Sequence, residues 1–269
     1  MKLNGKRVLL TGATGGIGKE IATALAKQGC ELIVVGRKAS QLAELVASLD
    51  DSSRHQSLIA DLARTEGLDA VSQFCASLDV AGKPVEVVIN NAGCNTFLYL
   101  QDRDAASVKR DVELNLIAPI LLSQSALGWM AQDGVILNVG STFGAIGFPG
   151  YTSYCAAKAG LQRFSEALSR ELNGTGRRVQ YLAPRATNTS LNDARVTEMN
   201  EKLGNKTDEA AFVAAQAVAM LKQETSVKWI GWPEKLFVRL NQLFPSLVGS
   251  AIKKQHQTIT EYATKTRCE

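Results

Sequence analysis

The sequence is poor in the residues that bind metals or form disulfides. Only two histidines, His55 and His256, occur in 269 residues, and the five cysteines (Cys30, Cys75, Cys94, Cys155 and Cys268) include no CxxC pair. That excludes the common Cys/His zinc sites, and an odd, widely spaced cysteine set does not suit a disulfide-stapled secreted scaffold, so reduced thiols are expected. No uninterrupted apolar run reaches the roughly 18–20 residues that a membrane-spanning helix needs. The amino-terminal MKLNGKRVLLTG runs straight into a strand-like stretch, with neither a signal-peptide apolar region nor a cleavage site; a cytoplasmic protein is expected. Internal repeats, low-complexity tracts and Pro/Gly-rich linkers are also lacking, so the chain reads as one domain with a full-sized core.

Charge of one sign is scarce as well. The net charge is +4, and from Lys222 onward eight Lys/Arg face four Asp/Glu, so the first 221 residues sum to zero. A broad nucleic-acid-binding face needs basic residues spread over a groove, and none is expected here. The excess belongs to the C-terminal segment.

What is present is an ordinary globular composition, 45% hydrophobic and 21% charged, arranged as short apolar runs alternating with helical segments. Strands are predicted at Arg7–Thr11, Leu32–Gly36, Gln56–Ala60, Val85–Asn90, Val135–Gly140, Arg178–Leu182 and Val227–Gly231. Most are continuously apolar, as strands buried on both faces must be. Helices are predicted around Ile17–Gln28, Ser40–Leu49, Thr65–Leu78, Asp104–Met130, Thr152–Asn173 and Asp208–Leu221. Strict alternation implies an α/β fold: a doubly wound, Rossmann-type parallel sheet of about seven strands with helices on both faces. In such a sheet ligands bind beyond the carboxyl ends of the strands, where strand order reverses.

The first strand ends in Thr11-Gly12-Ala13-Thr14-Gly15-Gly16-Ile17-Gly18 and leads into a helix. Glycines at 12, 16 and 18 permit a tight turn, close approach to a pyrophosphate and helix-on-strand packing, with the helix N-terminus facing the phosphates. The second strand ends at Gly36-Arg37-Lys38, where NAD-binding folds usually place an acid on the ribose 2′-hydroxyl. Here Gly36 leaves room for a 2′-phosphate and the Arg37 guanidinium suits it, with Lys38 or Lys19 nearby, so NADP(H) is expected over NAD(H). A solvated basic pair at a strand end is the competing explanation.

With these motifs come Asp61-Leu62, Asn90-Asn91-Ala92-Gly93, Asn115, Ser141 and Tyr154-Cys155-Ala156-Ala157-Lys158, in that order. Over roughly Gly5–Gly231 the chain resembles the short-chain dehydrogenase/reductase family. The resemblance implies that Asp61 and Leu62 border the adenine, that Asn91, Ala92 and Gly93 support the cofactor edge, and that Ser141, Tyr154, Lys158 and Asn115 form the catalytic set. It also implies 4-pro-S hydride transfer and a homodimer or homotetramer. The chemistry of the residues agrees: Tyr154 and Lys158 share a helix face, and an ammonium beside the phenol favours phenolate, which should lower the tyrosine pKa from about 10. Ser141 would stabilise a developing alkoxide. Asn115 would hold a proton-relaying water or simply pack a helix, and Tyr151, whose i+4 neighbour is Cys155, is expected to be a substrate-pocket or loop aromatic.

Two features depart from the family. Its usual Pro-Gly after the sixth strand, with a Thr four residues beyond the Gly, becomes Pro184-Arg185-Ala186-Thr187-Asn188-Thr189; Pro184, Thr187 and Thr189 are assigned to the cofactor loop. Arg185 stands where glycine is expected, implying strain, a different turn, a contact to an anionic group, or a solvent-facing side chain. The stretch 188–207 corresponds to the family's mobile substrate lid. Beyond a catalytic domain of residues 1–231, residues 232–269 form a basic extension. In it Leu236, Phe237, Leu240, Leu243 and Phe244 lie on one helical stripe, away from Glu234, Lys235 and Arg239. The stripe is expected to pack on its own fold or a sister subunit, to cover the active-site mouth, or to touch a membrane. The activity expected is NADPH-dependent reduction of a lipophilic ketone, such as a 3-oxoacyl or polyketide-like carbonyl, to a secondary alcohol. Oxidation of a secondary alcohol and a non-catalytic NADP-binding redox module are the alternatives.

Overall fold

The computed structural model describes residues 1–189, 191–232 and 234–264. Pro233 and, from the basic tail, Lys265, Arg267 and Cys268 therefore lie outside the described residues.

Among the described residues nine strands form: β1 Arg7–Thr11, β2 Glu31–Gly36, β3 Gln56–Ile59, β4 Val85–Asn90, β5 Met130–Val139, β6 Arg178–Ala183, β7 Thr187–Asn188, β8 Asp208–Glu209 and β9 Val227–Trp229. Seven make one sheet in the order β3-β2-β1-β4-β5-β6-β9, with every neighbouring pair parallel, while β7 and β8 form a separate two-residue ladder. Strand order reverses between β1 and β4, which opens a crevice at their carboxyl ends.

The helices are α1 Gly16–Ala26, α2 Ala39–Ser48, α3 Thr65–Val80, α4 Ala105–Val112, α5 Ala118–Trp129, α6 Thr152–Glu171, α7 Ala194–Lys202, α8 Ala210–Gln223, α9 Glu234–Leu243, α10 Pro245–Lys254 and α11 His256–Thr264. Two apolar layers sandwich the sheet. On β1, Val8 and Leu10 face α1, α2 and α8 through Ile21, Leu25, Leu42, Val213 and Leu221, whereas Leu9 faces α3 and α5 through Val71, Cys75, Leu122 and Ala126. That alternation on a wholly apolar strand is why the run carries no polar face.

The single helix expected over Asp104–Met130 is divided. Asp104 caps α4 by accepting the Ser107 amide (2.7 Å), and residues Glu113–Ile117 then widen into a π-helical turn before α5. Pro119, in the first turn of α5, has no N–H to offer the Asn115 carbonyl, which favours this interruption. The segment expected as the substrate lid contains α7, whose N-terminus is capped by Asp193 accepting from the Val196 amide (2.9 Å).

Among the described residues the extension folds as three helices, α9, α10 and α11. α11 packs Ile259, Tyr262 and Ala263 against Val196 and Met199 of α7, and the Tyr262 hydroxyl donates to Glu198 (2.6 Å). α9 is held through Val238, through Asn241 Nδ2 donating to the Ala145 carbonyl (2.8 Å), and through Glu234. Of its apolar stripe Leu236, Phe237, Leu243 and Phe244 are exposed and Leu240 is half-buried, so its own chain leaves most of the stripe uncovered.

Candidate active site

The crevice beside β1 is a cleft of about 410 Å³. Its floor is the turn from Gly12 to Gly18. Gly12 has φ +62°, and a Cβ there would lie 2.7 Å from Ala92 Cα; a Cβ on Gly18 would lie 2.1 Å from the Gly12 carbonyl oxygen. Side chains at either position would push apart β1, the start of α1 and the strand β4 loop. Gly16 serves differently, because Thr189 of the loop after β6 already reaches within 2.6 Å of where its Cβ would be.

Asn91 and Thr11 rivet β1 to β4. Asn91 Nδ2 donates to the carbonyls of Thr11 and Gly12 (3.1 Å each), and the Thr11 hydroxyl accepts the Asn91 and Ala92 amides (3.0 Å each). Thr14, Gly15, Ile17, Gly36, Arg37, Asp61, Leu62, Ala92 and Gly93 line the same cleft. Arg37 is exposed at its β2 end with no acid beside it in the sequence; Lys19 and Lys38 are exposed and do not line it.

At the far end of the cleft the predicted catalytic residues converge. Tyr154 and Lys158 are buried on α6, with Lys158 Nζ 5.8 Å from the Tyr154 ring centroid and donating to the Val139 carbonyl at 2.9 Å. Ser141, two residues beyond β5, lies beside Tyr154, and its hydroxyl accepts the Phe143 amide (3.1 Å). Asn115 sits in the π turn, where its Nδ2 donates to the carbonyls of Asp111 (2.9 Å) and Cys94 (2.8 Å). Its Oδ1 is buried without a partner among the described residues, and a Cβ on Gly93 would lie 2.7 Å from that oxygen and 3.8 Å from Lys158 Nζ. A fixed amide with its oxygen free suits a water-holding site better than helix packing alone. Beneath it, the buried Arg103–Asp111 pair (2.6 Å) and Ser153 tie α4 to α6.

The expected lowering of the tyrosine pKa is not found in the protein alone. Burial pushes Tyr154 up to about 12, opposed by the Ser141 hydrogen bond, and pushes Lys158 down to about 8. Desolvation disfavours both charged forms, and at this separation it outweighs the help an ammonium gives a phenolate.

A second pocket opens on the other side of Tyr154. Tyr151 stacks among Phe97 (5.1 Å), Phe143 (5.3 Å) and Tyr154 (6.0 Å), and Phe143 lies parallel to Phe148 (5.1 Å). Val196, Met199 and Asn200 of α7 close the wall, with Asn95 and Asn192 as polar points. Tyr151 thus lies in the pocket where it was expected. The other aromatics were missed, although the close spacing of Phe143, Phe148 and Tyr151 just after Ser141 was the available signal. Pro184, Thr187 and Thr189 line this pocket, and only Thr189 also reaches the cleft.

Arg185 is neither strained nor solvent-facing. Its φ is not positive; its Nε and Nη2 donate to both carboxylate oxygens of Asp208 (3.0 and 2.6 Å) and its Nη1 to Glu234 (3.2 Å). It is committed to carboxylates of its own chain and so is not aimed at an anionic ligand.

The glycine cradle, the free Asn115 oxygen and the acid-free end of β2 fit a dinucleotide with its nicotinamide toward Tyr154 and Lys158. Sequence comparison agrees with this architecture. The profile of the short chain dehydrogenase family matches residues 6–200. The 3-oxoacyl-[acyl-carrier-protein] reductase FabG of Vibrio cholerae is 31% identical over 242 residues, 84% of this chain and 96% of that protein. A short chain dehydrogenase from Burkholderia cenocepacia, solved with NADP, superposes with a TM-score of 0.78 at 26% identity, covering 87% of this chain and all of that one. The angucycline C-6 ketoreductase LanV, solved with NADP, gives 0.75 at 26%, covering 85% and 94%. A Burkholderia phymatum enzyme solved with NAD shares the fold at 0.79 and 20% identity, covering 92% and 96%. Family profile, parallel sheet and the order of Ser141, Tyr154 and Lys158 converge, and the chain belongs to the short-chain dehydrogenase family, as an oxidoreductase.

Proposed function

We propose that the protein reduces a lipophilic ketone to a secondary alcohol with NADPH. The observation that carries this reading is Tyr154: buried, beside Ser141, near Lys158, and lining both the nucleotide cleft and the aromatic pocket. Gly12, Gly16, Thr14 and Ile17 would hold the pyrophosphate, Asp61 and Leu62 the adenine, and Arg37 a 2′-phosphate. A nicotinamide held there supplies hydride to a carbonyl carbon.

The chain's own groups supply the rest. The Tyr154 phenol gives its proton to the carbonyl oxygen as that oxygen gains negative charge, and the Ser141 hydroxyl donates a hydrogen bond to it. The Lys158 ammonium compensates the resulting phenolate and gives up a proton toward it, and water held on Asn115 Oδ1 returns a proton to the neutral Lys158, so that both side chains regain their starting state. A phenol that burial holds at about 12 stays protonated before the reaction, as a proton donor must. The ring-lined pocket favours flat or long apolar ketones, in keeping with an expected 3-oxoacyl or polyketide-like substrate. A homodimer or homotetramer in the cytoplasm, with a catalytic unit ending at residue 231, completes the proposal.

The test follows nucleotide absorbance while purified protein meets 3-oxoacyl thioesters, polycyclic ketones, long-chain ketones and small ketones, with NADPH or NADH. Turnover with NADPH on apolar ketones is expected; alcohol oxidation with no ketone reduction would overturn it.

A further inference from the structure

Isolated exposed apolar side chains are normal on a protein surface; a contiguous group is not. Among the described residues six large exposed hydrophobics fall in one stretch: Trp232, Leu236, Phe237, Leu243, Phe244 and Leu247. Trp232 and Leu243 are 70% and 72% exposed. The stripe of α9 runs through the corner into α10, because the Phe244 amide donates to the Leu240 carbonyl (2.6 Å) and Leu247 to the Phe244 carbonyl (3.1 Å). Leu236, Phe237 and Leu243 form the outward face of α9, flanked in the chain by the exposed Trp232, Phe244 and Leu247, while Glu234, Val238 and Asn241 on the opposite side of α9 hold it to the protein.

The charges beside this edge are of one sign. Lys235, Arg239, Lys253 and Lys254 are all exposed and have no ion-pair partner among the described residues. Glu234, the acid of α9, faces the protein, where it shares Arg185 with Asp208. From Lys222 on, the chain carries the whole net charge of the protein. Apolar and aromatic residues bordered by lysine and arginine match the interface of an anionic bilayer, where rings and aliphatic chains enter the headgroup region and cations meet phosphates. A second copy of the same edge would bring like charges together.

The edge is also tied to the pocket. Asn241 bonds Ala145 in the loop after Ser141, Arg185 links Glu234 to Asp208 and the loop after β6, and α11 packs on the pocket helix α7. We infer that α9 and α10 dock the protein on anionic lipid surfaces, seating the mouth of the aromatic pocket at the bilayer from which an apolar ketone would be drawn. The last clause rests on the proposed ketone reduction; the docking does not.

Vesicle flotation tests the docking with no substrate present, using the full chain with phosphatidylglycerol/phosphatidylcholine vesicles and with phosphatidylcholine alone, while the difference in tryptophan fluorescence between wild type and Trp232→Phe reports burial of Trp232. The wild type is expected to float with anionic vesicles at low salt, with a blue-shifted spectrum, and at least about tenfold less with neutral ones. Phe237→Glu/Phe244→Glu should abolish flotation, and Arg239→Glu/Lys254→Glu should reduce it about tenfold or more. Both variants should retain wild-type circular dichroism and wild-type turnover of a water-soluble ketone. Anionic vesicles ignored by the wild type, or flotation unchanged in the Phe237→Glu/Phe244→Glu protein, overturns the docking. So does a wild-type dimer that ignores vesicles and dissociates in that variant, since a second copy would then cover the edge.

Discussion

Replacing Lys158 by methionine should make the protein more stable while removing its activity. Burial lowers the Lys158 pKa from 10.5 to about 8. At about 1.4 kcal/mol for each pKa step, holding the ammonium in the fold costs about 3 kcal/mol wherever it is charged in both folded and unfolded chains. Methionine keeps an apolar stem of similar length but forfeits the hydrogen bond to the Val139 carbonyl, which gives back about 1 kcal/mol. The variant should therefore gain about 2 kcal/mol near neutral pH. Because the folded pKa lies below the unfolded one, the unfolded chain binds more protons between about 8 and 10.5, and wild-type stability rises with pH across that window. The advantage of methionine should fade there and become a deficit of about 1 kcal/mol above it. Urea unfolding of both proteins without nucleotide, at neutral pH and at about pH 10.5, reads the difference directly. A methionine protein no more stable at neutral pH, or an advantage that grows with pH, refutes the reasoning.

Three further outcomes follow from the geometry. Arg37→Ala should raise the KM for NADPH by roughly 10- to 100-fold and leave that for NADH unchanged, since only the 2′-phosphate contact is removed; initial rates with both nucleotides check this. Gly18→Ala places a methyl 2.1 Å from the Gly12 carbonyl oxygen, so nucleotide binding measured by calorimetry should be lost and unfolding should ease by at least about 2 kcal/mol. Arg185→Ala frees Asp208 and Glu234 of their partner, and with that site partly exposed the loss should be about 1–2 kcal/mol. Limited proteolysis should then cut near residues 231–245 sooner than in the wild type.

Which of these residues a sequence reveals depends on how far apart the interacting partners lie. The glycine turn, the apolar strands and the Tyr154–Lys158 pair are local patterns with fixed spacing, and they stand where the sequence places them except that β5 starts at Met130, where a helix end was expected, and not at Val135. Arg185 pairs with Asp208 and Glu234, 23 and 49 residues away, and no local rule connects them. The π turn at Asn115 keeps a helical hydrophobic pattern, so only the Pro119 four residues on hinted at it. In α9 the spacing identified the stripe but not its direction: three residues outside it, Glu234, Val238 and Asn241, meet the fold and turn it outward. The direction of the Tyr154 pKa depended on burial, which is a property of the whole packing around α6.

The central claim is that Tyr154 protonates a ketone oxygen while NADPH is consumed, and the most direct test compares wild type with Tyr154→Phe on one apolar ketone. NADPH loss and alcohol formation should run one to one in the wild type. In the phenylalanine protein both should fall by about 10²–10⁴-fold, with NADPH affinity unchanged. Equal turnover in the two proteins, or NADPH loss without alcohol, would contradict the account.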